Sequence, residues 1–330
     1  MIPNLLPWQD QQWQRIEQMG SVRGFPHALL LRGRAGVGKA LFAQRLTAQL
    51  LCLERLSTPC GICRGCTLVM SGSHPDFHSI SPENNTTTIT VSQIRELINS
   101  LALTAGLSAF KVGVIQPAER MTSAAANSLL KTLEEPPGET VLILLTNASA
   151  QLPATVISRC QSIEFPPVLQ SAGQRWLESE LGPGHDAELL MKLSRGQPLT
   201  ALDWVREDEM SVRLEVVNDI IGLLGDEPQP VSTASRWKEM GVKRILRWLD
   251  SLLMDFIKLA ITGDNTQLTN FDVTQPMQSI VARLNLRTLF ALLDTCRKST
   301  RLVATHPGLN EQLMLEDLTV ALAMAVRPGY

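Results

Sequence analysis

The chain has 330 residues, of which 44% are hydrophobic, and its formal net charge at pH 7 is −2. This length exceeds what one hydrophobic core usually supports, so we expect two or three domains. The nearly balanced charge excludes a globally basic surface for nucleic acid, and no run of about 18 apolar residues indicates a membrane span. The first residues lack the basic and apolar segments of a signal peptide, so we expect a cytoplasmic protein.

A near-match to a phosphate-binding loop follows the first predicted strand. The apolar run His27–Leu31 is typical of a buried parallel strand, and helix formers fill residues 39–51. Between them, the pattern Gly-x4-Gly-Lys-Ser/Thr would wrap phosphates in backbone N–H groups, with the hydroxyl holding Mg²⁺. The hydroxyl position is Ala40 here. The candidate nucleotide-binding residues are Gly33, Gly36, Gly38 and Lys39.

Four of the six cysteines lie in one short segment, namely Cys52, Cys60, Cys63 and Cys66. They contain two overlapping Cys-x2-Cys spacings with glycines that allow a tight loop. Four thiolates complete the tetrahedral shell of Zn²⁺, so the expected zinc site is structural. His74 is the alternative fourth ligand, although Cys52 completes the set more simply. Buried free thiols or a redox pair are the alternative without metal.

Strands and helices alternate over the next hundred residues. Thr90 and Gln93 can form a capping box, and Ser123 is the predicted cap of a helix that Pro136-Pro137 ends. We predict a short helix from Pro153 through Arg159. The remaining apolar runs predict strands at 111–115, 140–146 and 162–165. This alternation predicts an α/β fold with a parallel sheet covered on both faces.

The acidic residue that a P-loop ATPase needs at the end of a neighbouring strand is missing. Gln116-Pro117 follows strand 111–115, and Glu119 would need a displaced backbone to serve. Together with Ala40, this removes the expected protein contacts of Mg²⁺. We therefore predict no ATP hydrolysis by this chain and weak or absent nucleotide binding. The alternative is that another strand carries the carboxylate.

Beyond Pro166-Pro167 the apolar residues recur at helical periods and no strand series is evident. We predict three domains: an α/β P-loop-type domain at 1–166 with the zinc module at 52–66, a small helical (lid) domain at 167–208, and a C-terminal helical domain at 209–330. The apolar stripe from Ile245 to Leu253 is expected to be core or subunit interface.

Several segments together resemble bacterial clamp-loader subunits of the AAA+ class. They are residues 124–137, Ser158-Arg159-Cys160, the four-cysteine segment, and His74-Pro75-Asp76-Phe77. The resemblance covers the first ~165 residues well, and the helical remainder fits in length and layout.

The resemblance implies an AAA+ domain and a C-terminal collar that joins five subunits into a hetero-pentameric ring. It implies that Arg159 is an arginine finger acting in trans on the ATP of an adjacent subunit, since guanidinium offers charged bidentate donors to phosphate. On spacing alone, a lone arginine is usually solvated or salt-bridged. The implied partners are the gamma/tau and delta subunits, and through them the sliding clamp and primer-template DNA. The cysteines match the family's zinc module.

Two departures separate this chain from the motor subunits of the family. They carry an Asp-Glu pair where this chain has Gln116-Pro117, and a sensing arginine where this chain has Leu199. Thr146-Asn147 keeps polar residues at the first sensor position, which is not diagnostic. The leading interpretation is an interaction protein, a stator that does not hydrolyse ATP. The alternatives are an active clamp-loader ATPase like gamma/tau, a helicase-like AAA+ motor, and a zinc-dependent DNA-binding adaptor.

Overall fold

The computed structural model describes residues 2–23, 25–54, 58–83, 86–225, 227–306 and 308–325. The chain divides into two compact units. The first comprises Met1–Glu180 and Arg195–Thr200, and the second comprises Leu181–Ser194 and Ala201–Tyr330. The finer division into three domains, with boundaries at 166 and 208, stays a prediction.

The first unit is built on a five-stranded parallel sheet with the strand order β2-β3-β4-β1-β5. Residues of β3 and β4 are buried throughout, as their continuous apolar sequences require for strands covered on both faces. The predicted parallel sheet is confirmed. The strands are β1 Ala28–Gly33, β2 Phe77–Ile80, β3 Lys111–Ile115, β4 Thr140–Thr146 and β5 Gln161–Phe165.

The described residues of the first unit contain seven helices, the last of which ends one residue into the second unit. Thr90 and Gln93 form the predicted capping box. The cap of the later helix is Thr122, whose hydroxyl accepts from the Ala125 N–H, so the prediction of Ser123 as cap was wrong by one residue. The helices are α1 Asp10–Arg23, α2 Lys39–Leu50, α3 Arg64–Ser71, α4 Val91–Ala102, α5 Ser123–Glu134, α6 Ala154–Ile157 and α7 Gln170–Leu181.

Helices α4 and α5 each bury one face against the strands. Ile94 and Leu97 of α4 and Leu129 of α5 join Leu142 and Leu144 of β4 in one core cluster. Each of these side chains is almost fully shielded from solvent, and a buried leucine or isoleucine contributes about 1.5–3 kcal/mol. This core fixes the carboxyl edge of the sheet, where the strands end and the phosphate-binding loop begins.

The second unit is helical over its described residues, as predicted. Its core includes the predicted stripe of Ile245, Trp248, Leu249, Leu252 and Leu253, all on one long helix. No helix in the described part of the chain is long and apolar enough to cross a membrane. The helices are α8 Ala187–Leu193, α9 Pro198–Arg206, α10 Glu209–Leu223, α11 Pro230–Met240, α12 Val242–Thr262, α13 Thr274–Val281, α14 Leu286–Thr305 and α15 Glu311–Met324; the first turn of α9 belongs to the first unit.

Candidate functional site

The phosphate-binding loop lies at the carboxyl edge of the sheet, between the end of β1 at Gly33 and the start of α2 at Lys39. Gly36 and Gly38 have positive φ values of 71° and 94°, which glycine adopts without strain. Strand, glycine loop and helix therefore occur in the order that a P-loop requires. The structure places all four predicted loop residues together.

The ammonium group of Lys39 is bonded to oxygens of its own chain. Its Nζ donates to Gly33 O at 2.7 Å, to Arg34 O at 2.7 Å and to Asn147 Oδ1 at 2.9 Å. An ammonium group has three donors, so these three acceptors match its capacity. Burial lowers the pKa of Lys39 to about 8, although the nearby Glu119 carboxylate acts to raise it. A phosphate oxygen would have to displace one of these acceptors.

Glu119 comes close enough to Lys39 of this loop to act on the pKa of its ammonium group. It lies in a short 3₁₀ turn after β3, and its Oε1 accepts from the Asn147 N–H at 3.1 Å. Its Oε2 is buried and has no hydrogen-bond partner among the described residues. The sequence did not indicate the pairing of Glu119 with Asn147, because the carboxylate is positioned by the 3₁₀ turn that follows β3 and not by the strand itself. The site thus holds a carboxylate that would repel phosphate.

Carbonyl oxygens of the loop are also engaged by the chain. Trp8 Nε1 donates to Val37 O at 3.0 Å, and Gln9 Nε2 donates to Gly38 O at 2.9 Å. The backbone N–H of Leu199 donates to Gly36 O at 3.1 Å. Position 199, where the motor subunits are expected to carry a sensing arginine, therefore lies against the loop with an apolar side chain.

The glycines of the loop are required by these neighbours. A Cβ atom on Gly36 would lie 2.1 Å from Thr200 Oγ1, and one on Gly38 would lie 2.4 Å from Leu6 Cδ1. Both separations are far below van der Waals contact. The glycines are accounted for by close packing within the chain, with no phosphate needed to explain them.

The four predicted cysteines form a single cluster in which all Sγ atoms lie within 4.8 Å of one another. Cys52 and Cys63 are 4.0 Å apart, and Cys60 and Cys66 are 3.9 Å apart. Tetrahedral coordination at a Zn–S length of about 2.3 Å places the sulfurs about 3.8 Å apart. The donor set and spacing therefore fit a metal ion such as zinc.

Local structure changes the pKa values of two cysteines in opposite directions. The Cys63 sulfur caps helix α3 by accepting from the Cys66 N–H. Burial acts to raise the pKa of Cys63, but backbone and thiol hydrogen bonds outweigh it and lower this pKa to about 6. Burial raises the pKa of Cys66. His74 lies outside the cluster, so the choice of Cys52 over His74 as the fourth member agrees with the geometry.

The His74-Pro75-Asp76-Phe77 segment has a structural role. Both Asp76 carboxylate oxygens accept backbone N–H groups, from Gly106 at 2.5 Å and from Leu107 and Ser108 at 2.8 Å. The His74 Nε2 atom is 3.1 Å from Ser108 Oγ, which donates to Leu51 O at 3.0 Å. Because Leu51 precedes Cys52, this buried network ties the cysteine cluster to the sheet.

Arg159 lies at the opposite edge of the sheet from the phosphate-binding loop. It precedes β5, and β5 runs parallel to β1 with Leu29 opposite Gln161 and Gly33 opposite Phe165. Four residue steps of strand separate these ends by roughly 13 Å. Arg159 therefore stands at the amino edge, whereas the loop of the same chain is at the carboxyl edge.

Comparisons with known proteins identify the family of this chain. The family model described as DNA polymerase III, delta subunit, matches residues 8–169, and that of the delta subunit, C terminal, matches residues 207–322. The DNA polymerase III subunit delta' of Pseudomonas aeruginosa is 32% identical, covering 99% of this chain and 100% of that protein. This chain belongs to the DNA polymerase III subunit delta' family.

A second curated relative gives the same family. The subunit delta' of Escherichia coli strain K12 is 32% identical to this member of the delta' family, with 98% of this chain and 96% of that protein covered. A solved structure of a DNA polymerase III gamma subunit-related protein from Thermotoga maritima has a TM-score of 0.47 and 16% identity. It covers 96% of this chain and 99% of that one.

Proposed function

We propose that this chain is the stator of the DNA polymerase III clamp loader, and that it presents Arg159 to ATP held by an adjacent subunit. The observation that carries the proposal is the separation of Arg159 from the loop of its own chain across the sheet. A guanidinium at the amino edge reaches phosphate only in another subunit. The family relationship supplies the assembly in which such a subunit exists.

The loop contacts support a subunit that does not hydrolyse ATP. Lys39 already has three acceptors, Ala40 has no hydroxyl for Mg²⁺, and Gln116-Pro117 offers no carboxylate at the end of β3. These residues do not fit Mg²⁺–ATP, and we assign no catalytic step to this loop. The loop serves as a scaffold that joins β1 to α2.

The cysteine cluster supports structural zinc. Four thiolates close the coordination shell, which leaves no position for a substrate or water. When bound, zinc would be held by Cys52, Cys60, Cys63 and Cys66, and it would stabilise the segment between α2 and α3. We assign it no part in chemistry.

The proposed partners are the gamma/tau and delta subunits in a ring of five, joined through the C-terminal helices of the second unit. Through that ring, the chain assists the loading of the sliding clamp on primer-template DNA in the cytoplasm. The chain is in this sense a component of the DNA polymerase III holoenzyme, although it transfers no nucleotide itself.

The test is ATP hydrolysis by the reconstituted clamp loader containing Arg159→Ala in this subunit. Removing an arginine finger lowers hydrolysis at the site that receives it by about 10³-fold. With several ATP sites in the ring, we expect loss of the clamp- and DNA-stimulated component while the complex still assembles. Arg175→Ala, which changes an exposed arginine on α7, is the matched control. If the Arg159→Ala complex keeps stimulated hydrolysis at the wild-type level, Arg159 does not act as an arginine finger.

One observation favours the alternative of an active ATPase. The Glu119 carboxylate lies beside Asn147 and close enough to Lys39 to act on its pKa. In that reading Glu119 replaces the missing acid after β3. Turnover of ATP by the isolated chain that is lost in both Lys39→Ala and Glu119→Gln would establish the alternative. The stator proposal expects no turnover above background from any of the three proteins.

A further inference from the structure

The guanidinium of Arg159 is held in a defined orientation by helix α5. Its Nε donates to Glu134 Oε1 at 2.6 Å, and its Nη2 contacts the same oxygen. Its Nη1 donates to the carbonyl of Thr155 at 3.0 Å, one turn back in the chain. Two elements that are far apart in sequence therefore fix one side chain.

These contacts use one edge of the guanidinium. The Nε and Nη2 groups form its lateral edge, which faces Glu134. The terminal edge has one N–H from each of Nη1 and Nη2, and two parallel donors of this kind match two oxygens of a phosphate. Nη1 donates to the carbonyl of Thr155 at 3.0 Å and makes a long contact of 3.5 Å with Ser158 Oγ. An anion at the terminal edge would therefore compete only with this long contact to Ser158.

We propose that Glu134 is a positioning residue for Arg159, holding the lateral edge so that the terminal edge meets a phosphate of the adjacent subunit. This inference rests on the proposed function of Arg159 as an arginine finger. Glu134 acts through Arg159 and touches no substrate. Glu134 restricts the rotamers of Arg159 before phosphate binds. The arginine side chain therefore loses less conformational entropy when it engages phosphate.

Stability of the chain gives little reason for a carboxylate at this place. Glu134 is the last residue of α5, where the negative end of the helix dipole disfavours an anion. The side chains of Arg159 and Glu134 are 33% and 50% exposed, and exposed ion pairs contribute little to folding. Glu134 is disfavoured by the helix dipole and contributes little to folding. We therefore attribute its presence to the orientation of Arg159.

The experiment measures clamp- and DNA-stimulated ATP hydrolysis by the reconstituted clamp loader with five variants of this subunit. They are Glu134→Ala, Glu134→Gln, Arg159→Ala, the double variant of both alanines, and Glu135→Ala. Glu135 is the adjacent carboxylate and, among the described residues, has no ion pair with Arg159. Complex assembly is checked by size-exclusion chromatography, and each variant subunit is melted alone.

We expect Glu134→Ala to lower the stimulated component of kcat about tenfold with assembly intact, because misplaced catalytic groups cost one to two orders of magnitude. Glu134→Gln retains an oxygen acceptor and should recover at least half of the rate. The double variant should fall no further than Arg159→Ala, since Glu134 acts only through the arginine. Neither Glu134 variant should lower the melting temperature, and Glu135→Ala should match wild type.

The outcomes separate the two proposals. If Arg159→Ala loses stimulation but Glu134→Ala keeps or raises it, the positioning role is overturned and the finger stands. If the double variant falls clearly below Arg159→Ala, Glu134 acts by another route and the positioning role is likewise overturned. If Arg159→Ala itself keeps wild-type stimulation, the proposed function fails and the inference fails with it.

Discussion

Replacing Asp76 by asparagine should destabilise the first unit, because this buried carboxylate organises the start of β2. Its two oxygens accept three backbone N–H groups, from Gly106, Leu107 and Ser108. Asparagine offers one oxygen and one NH2 group. Oriented to keep the bonds from Leu107 and Ser108, it turns its NH2 toward the Gly106 N–H, so two donors face each other.

The expected loss of unfolding free energy in Asp76→Asn follows from these three hydrogen bonds. A hydrogen bond to a charged group contributes about 1.5–3 kcal/mol, against about 1 kcal/mol for a neutral pair. Asp76→Asn loses the bond to Gly106 and weakens the other two, so we expect a loss of about 2–4 kcal/mol. Typical unfolding free energies are about 5–15 kcal/mol, so the variant should fold but unfold at clearly lower denaturant.

The loss should depend on pH in one direction. Burial alone would raise the pKa of Asp76, but the backbone hydrogen bonds from Gly106, Ser108 and Leu107 hold it below its usual range. The folded-state pKa of Asp76 lies below its unfolded-state pKa, which is near 3.9. The ionised carboxylate therefore stabilises the fold fully above about pH 3.9, and this stabilisation is lost as the pH falls through the folded-state pKa. The difference between wild type and Asp76→Asn should therefore be largest at neutral pH and shrink below about pH 3.9.

The assay is urea unfolding followed by tryptophan fluorescence and by circular dichroism, at pH 7 and at a series of pH values below about 3.9. The control is Asp186→Asn, an exposed N-cap with one bond to the Leu189 N–H at 2.9 Å. Asparagine caps helices as well as aspartate does, so this control should change stability by less than about 0.5 kcal/mol. If Asp76→Asn lies within about 0.5 kcal/mol of wild type at pH 7, the network does not organise this region as we argue.

Two further predictions concern the cysteine cluster and the phosphate-binding loop. The purified chain should contain one equivalent of zinc, and a strong chelator or Cys63→Ser should lower its melting temperature by more than about 5 °C. The control variant Cys160→Ala should keep the metal. Metal analysis finding less than about half an equivalent in the untreated protein would contradict this prediction. Millimolar Mg²⁺–ATP should shift the melting temperature of the isolated chain by less than about 1 °C in a thermal shift assay. A shift of several degrees that Lys39→Ala abolishes would show that Lys39 exchanges its internal acceptors for phosphate.

The sheet could be predicted where burial dominates the sequence. The strands at 111–115 and 140–146 occur with the predicted bounds, because continuous apolar runs suit strands covered on both faces. Strand β2 was missed, since its four residues include His78 and Ser79 and are only partly buried. Helix α3 was also missed, because its cap is the sulfur of Cys63 and not one of the usual polar side chains.

The sequence predicted which residues form the candidate sites. It did not predict which other residues contact them. The spacing of the cysteines identified the cluster, and the glycines with Lys39 identified the loop. Nothing in the local sequence indicated that Trp8, Gln9 and Leu199 would bond to the loop carbonyls, since these contacts join distant segments. The pairing of Arg159 with Glu134 depends on the packing of α5 against α6, the helix that precedes Arg159, and spacing alone does not encode this packing.

The internal packing of the phosphate-binding loop would make the proposed loss of nucleotide chemistry difficult to reverse. Restoring a hydroxyl at Ala40 by a single codon change would leave Thr200 against Gly36 and Gln9 against Gly38. It would also leave Lys39 bonded to its own loop and Gln116-Pro117 without a carboxylate. Under the proposed function, a return to ATP use would therefore require coordinated changes in four separate stretches of the chain.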